Sequence, residues 1–167
     1  MPEKDTVFSS TIKYEGVFSF KDFYQFCHDW LKEEINLSIS EELYEEKIKG
    51  ETKDIIVKWV CDRKLTDYFK FEMEVKFTIR NLSNIEVVQE GMKIKTNKGQ
   101  SKVKVQGILI RDYDGKFETT AHKKFLRSIY EKWVIPSRIE EMKDKIVGGC
   151  DEFLNQAKAY LDLEGKK

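Results

Sequence analysis

Three cysteines and two histidines carry the widest chemical repertoire in this 167-residue chain. Cys27 adjoins His28, whereas Cys61, His122 and Cys150 stand apart, and no CxxC pair occurs. A metal site needs three or four converging ligands. Cys27 falls on the apolar stripe of a helical segment and His28 off it, so the two point apart. Neither a metal centre nor a Cys–His nucleophile is expected. All three cysteines sit among apolar residues and read as buried, inert thiols. No Gly-rich phosphate loop follows a strand, and neither GxSxG nor HExxH is present. No catalytic residue, metal or cofactor is therefore assigned, and the reading leans away from an enzyme.

Binding chemistry has more to stand on. Trp59, Phe71, Met73, Phe77, Met142 and Phe153 lie on the dry faces of their segments. Large apolar side chains of this kind line small-molecule pockets when a few polar groups accompany them. They also fill close-packed cores, which is the commoner arrangement. Arg63 shares the phase of Trp59 and Cys61. It is placed either to anchor an acidic ligand head at a cavity mouth or to mark where the strand reaches solvent. Gly107 and Gly148-Gly149 are the hints of space facing the sheet. Between Gly91 and Lys104, five lysines (Lys93, Lys95, Lys98, Lys102 and Lys104) occur without an acid. Such a run suits phosphates. It alternates with Met92, Ile94, Val103 and Val105 as a solvated face does, lysine commonly guards edge strands, and no aromatic residues interleave for base stacking. Nucleic acid is not the expected partner. Glu41, Glu42, Glu45 and Glu46 form a local negative patch, read as solvated.

The elements that position these residues follow from periodicity. Thr6 to Tyr14 alternates as a first strand, ended or bulged by Gly16. Phe23, Phe26, Cys27, Trp30 and Leu31 then recur at helical spacing, and Ser19 with Asp22 forms a capping start, giving a helix from about Phe20 to Glu34. Strands follow at about Leu43–Lys49 and Asp54–Lys64. The clearest strand runs from Phe69 to Arg80, with six apolar residues on one face and six polar residues on the other. That pattern implies an antiparallel sheet open to water on one side. Asn81 to Asn84 reads as a turn. Ile85–Thr96 reads as a fifth strand, bulged near Val88–Gly91, and Asn97 to Gln100 as a hairpin turn before a sixth strand, Lys102–Tyr113, closed by Asp114-Gly115.

The last third, Thr119 to Leu163, is helical and broken at Pro136. Its first part carries Phe125, Leu126, Ile129, Tyr130, Trp133 and Val134. Ser137 and Glu140 offer a cap for the restart. Its second part draws one stripe through Ile139, Met142, Ile146, Cys150, Phe153, Ala157 and Tyr160. Gly148-Gly149 sits within that stripe, either as a kink or as a place of close packing.

Length sets the expectation of one domain over residues 1–167, large enough for a real core. An apolar content of 40% supports that core, and 30 basic against 30 acidic residues argue against a surface built wholly for nucleic acid or anionic membrane, while leaving room for a local patch. Odd, scattered cysteines suit a reducing compartment. No run reaches the ~18 apolar residues of a membrane span, and the first residues have no signal-like apolar core. A soluble cytoplasmic protein is expected.

The fold class is thus α+β: a curved antiparallel sheet of about six strands packed on a long, Pro-broken C-terminal helix. Strand, helix, antiparallel strands and long final helix, in that order, resemble the helix-grip superfamily of START and Bet v 1-like domains. The resemblance implies a sheet wrapped around the C-terminal helix with an apolar cavity between them. It further implies a non-catalytic module that binds an apolar or amphipathic small molecule; the resemblance assigns no residue, and the candidates for the lining are those that periodicity supplies, Trp59, Arg63, Phe71, Met73, Phe77, Met142 and Phe153. The alternative is a structural or protein-interaction subunit with a filled core and a partner surface around Trp133 to Ser137.

Overall fold

The structure, a computed structural model, describes residues 3–114, 121–129, 132 and 136–166. Five strands and three helices are formed among the described residues: β1 Glu3–Val17, α1 Phe20–Glu33, β2 Ser38–Lys49, β3 Thr52–Lys64, β4 Phe69–Gln89, β5 Met92–Arg111, α2 Ala121–Ile129 and α3 Pro136–Gly165. The strands make one antiparallel sheet in the order β1-β5-β4-β3-β2. The class is α+β, with five strands in place of the expected six. No helix among the described residues is long and apolar enough to cross a membrane.

The strand count differs because two expected turns are not turns. β4 runs straight through Asn81–Asn84, and β5 through Asn97–Gln100. Asn81 does take a positive φ of 55°, as a turn residue would, but the sheet absorbs it as a register shift between Arg80 and Ser83. Its amide donates to Asp54 Oδ1 at 3.0 Å. The chain reverses instead at Glu90-Gly91, where a bulge was expected. Both residues have positive φ (53° and 78°) and Gln89 pairs with Met92, the geometry of a two-residue hairpin loop that matches strand twist. Beyond Ser83 and Lys98 this hairpin has no third strand beside it: β1 ends against Lys98 and β3 begins against Ser83. A two-stranded arm results, with Val88, Met92 and Ile94 exposed.

The polar residues that looked like turns have structural partners. Phe18 N–H donates to Asn97 O at 3.0 Å and Phe20 N–H to Asn97 Oδ1 at 3.1 Å, so Asn97 fixes the entry into α1. Ser19 caps α1, its Oγ accepting from Asp22 N–H at 3.4 Å. β2 starts at Ser38, ahead of the expected Leu43.

One face of the sheet is dry. Its rows are set by register: Met73 lies between Cys61 and Gly107, Val75 between Trp59 and Val105, Phe77 between Val57 and Val103. α1 lays Phe20, Phe23, Cys27 and Leu31 on this face; α3 lays Met142, Ile146, Cys150, Phe153, Leu154, Ala157 and Leu161. The expected stripe is thus buried from Met142 to Ala157, with Ile139 and Tyr160 half-buried at its ends. α3 continues through Gly148-Gly149. The tight approach of helix to sheet is elsewhere, at Gly107: a Cβ there would stand 2.7 Å from Cys150 Sγ and 2.8 Å from Ile146 Cγ2.

Pro136 opens α3, a position where its missing N–H costs nothing. Ser137 consequently lies in the first turn and does not cap it. α2 presents Phe125, Leu126 and Ile129 to solvent. Gly115, the helix start at Thr119-Thr120, and Tyr130, Trp133 and Val134 lie outside the described residues, and with Trp133 goes most of the expected partner surface.

Candidate functional site

The structure brings six of the seven sequence-designated residues into one layer between the sheet and the helices. Trp59, Met73, Phe77 and Phe153 have no solvent exposure, and Phe71 and Met142 almost none. Phe77 meets the Trp59 ring edge-on at 4.8 Å between centroids and the Phe23 ring at 5.9 Å. Phe153 packs against Trp30 at 5.7 Å, and Phe26 stacks on Tyr160 at 4.5 Å, joining α1 to α3. Such edge-on and offset geometries suit the ring quadrupoles. At Gly107, where sequence hinted at space, Ile146 and Cys150 occupy it.

The polar atoms of this layer are tied to protein groups. Trp59 Nε1–H donates to Glu41 Oε1 at 3.3 Å, and Tyr24 O–H donates to the same oxygen at 2.6 Å. Glu41 thus belongs to the layer's rim, a role that sequence did not give it. Desolvation, reinforced by the bond to Glu41, pushes the Tyr24 phenol up to about 12. Arg63, the seventh residue, stands at the end of β3 opposite Phe71 and donates from Nη1 to Ile35 O at 2.9 Å. It clasps the loop between α1 and β2. Its Nε is buried with no hydrogen-bond partner among the described residues.

The three cysteines are buried and free. Burial raises Cys27 well above the ordinary thiol value and pushes Cys61 and Cys150 up to about 12, so the thiolate is scarce at neutral pH. His28 packs edge-on to Trp59 at 5.6 Å, away from Cys27. Among the described residues no cluster of three or more His, Cys, Asp or Glu side chains is placed to hold a metal.

On the opposite face no helix packs among the described residues, and its middle rows are charged, while Ile108 and Ile110 are buried toward one end of it. Register puts Lys58, Lys76 and Lys104 side by side across β3, β4 and β5, and Lys13 directly opposite Lys102 in the next row, with Thr78 beyond. Arg80 lies one row further, opposite Gln100. Two open grooves cross this surface. One of about 560 Å³ is bordered by Lys13, Thr78, Arg80, Gln100 and Lys102; another of about 230 Å³ by Lys58, Glu74, Lys76, Lys104 and Gln106. Sequence had singled out Lys102 and Lys104 together with Lys93, Lys95 and Lys98. The register separates them: the last three lie on the arm or at its base, the first two in the body of the sheet. Lys13, Lys58 and Lys76 were missed as neighbours because only strand pairing brings them there.

Among the described residues, fold and surfaces define an α+β protein whose sheet has one face under α1 and α3 and another on which no described helix packs. No family model matches the chain, and neither does any curated protein or solved structure.

Proposed function

We propose that this chain is a non-catalytic, helix-grip-like interaction module whose core is filled and whose working surface lies on its outside. One observation carries the reading: the residues that would line a ligand cavity are buried against one another, and the gap expected at Gly107 holds Cys150 and Ile146. Close packing of this kind is what interiors do when no ligand is needed. The element order supports the helix-grip comparison. Three free, buried thiols fit a reducing compartment, and the setting proposed is the cytoplasm.

The test is native mass spectrometry of gently purified protein, followed by solvent extraction. The bare chain mass, or a whole multiple of it, is expected. A retained adduct released as an apolar small molecule overturns the filled-core reading and restores the carrier, with Trp59, Phe71, Met73, Phe77, Met142 and Phe153 as its lining and Arg63 at its rim.

A further inference from the structure

We propose that the open face of the sheet docks the phosphate backbone of a nucleic-acid duplex through Lys13, Lys58, Lys76, Lys102, Lys104 and Arg80. The inference rests on the reading that the working surface is external, and it goes beyond it by naming the surface and the chemistry of its partner.

Like charges are its foundation. Lys58 faces Lys76, Lys76 faces Lys104, and Lys13 faces Lys102. Directly opposed residues hold their Cβ atoms about 5 Å apart, and like charges at that spacing destabilise a sheet. Nearby acids relieve little of this. Lys58 reaches Glu42 at 3.9 Å and Arg80 reaches Asp54 at 3.8 Å. Lys13, Lys76, Lys102 and Lys104 have no carboxylate within 4.0 Å among the described residues, and all four are exposed. Acids also share this face: Glu72 and Asp62 are occupied by Lys4 and Lys70, while Glu15, Glu45 and Glu74 form no ion pair among the described residues, so the lysine rows keep an excess of positive charge.

The side chains select among anionic partners. Threonine, glutamine and serine lie between the cations: Thr11, Thr78, Gln100, Gln106 and Ser9 share the open face. Lysine with hydroxyl and amide groups is the set that contacts phosphate and sugar. Protein interfaces are instead depleted in lysine and anchored by aromatic residues and arginine. The open-face positions of the five strands hold no aromatic side chain, and Tyr14, which borders the larger groove, belongs by register to the covered-face row with Ser101, so these strands offer no row of aromatics for a single strand to stack on. A duplex needs none.

Binding of a mixed-sequence 20-base-pair DNA duplex, followed by fluorescence anisotropy against salt, tests the proposal. Each phosphate neutralised contributes about −0.9 to the slope of log K against log salt, so six cations give a slope near −5, roughly a thousandfold loss between 50 and 200 mM salt. The triple variant Lys76→Gln/Lys102→Gln/Lys104→Gln relieves the repulsion, so it should melt no lower than the wild type, and it should lower the slope by about 2.7. Lys93→Gln/Lys95→Gln, on the arm, should leave the slope unchanged. The proposal is overturned by an absence of binding at 50 mM salt, by a triple variant with the wild-type slope, or by a slope that follows the arm lysines. Tighter binding to a single strand of equal length, to polyglutamate, or to phosphatidylserine vesicles overturns the duplex assignment. A filled core with no duplex binding sinks this proposal alone; an apolar adduct with salt-dependent duplex binding sinks only the filled core.

Discussion

Trp59 depends on one carboxylate oxygen. Its ring is fully buried, its N–H reaches Glu41, and Tyr24 shares that acceptor. Truncating Glu41 to alanine strands a buried donor, a loss of about 1–3 kcal/mol by urea denaturation. The same variant should bring the Tyr24 phenol down from about 12 toward its ordinary value of 10, as followed by ultraviolet titration. An unchanged titration would mean that burial alone sets the phenol. The dryness of Trp59 was legible from alternation along Asp54–Lys64, because burial is a property of one strand's phase. Its acceptor was not legible, because Glu41 becomes a neighbour only when β2 pairs with β3. Arg63 shows the same limit: phase placed it at a strand end, but the carbonyl that it holds comes from the loop after α1.

The helix α3 is seated by a missing side chain. Gly107→Ala would press a methyl group into Cys150 and Ile146 and should destabilise by about 1–3 kcal/mol. Adding Cys150→Ala should recover part of that loss; no recovery would mean that the methyl group acts on β5 itself. The bulges of β3 and β4 meet at Asp54, which accepts from Lys49 and from the Asn81 amide, and these bonds, in that order, hold its carboxyl below the usual range. A depressed folded pKa contributes stability above the ordinary carboxylate value of about 4, and that contribution fades as pH falls through it toward the folded value. The stability gap between the wild type and Asp54→Asn should therefore be widest near pH 6 and narrow toward pH 3, by urea midpoints; a gap constant with pH would remove this role. These elements were largely legible by period, their connections less so. Asn81, Asn84 and Asn97 carry turn chemistry, yet they serve a bulge and the docking of α1, while the real reversal uses Glu90-Gly91, with glycine at its second position.

Across the molecule, two sheet faces divide the labour. The covered face holds the aromatic layer, and Phe71→Asp would put an unpaired charge at its centre. Unfolding at room temperature is expected by circular dichroism; a melting temperature equal to that of the wild type would refute the layer. The open face holds the lysine rows, whose substitution should spare the fold. The position of β1 also has a consequence in time. As the chain is synthesised β1 emerges ahead of the other described strands, but its sheet neighbour among them is β5, the last of the five. β2, β3 and β4 can zip as successive hairpins while Phe8 and Ile12 wait without a partner. The nascent chain is exposed to mispairing for that whole interval, and the docking of β1, with α3 laid over it, closes the fold late.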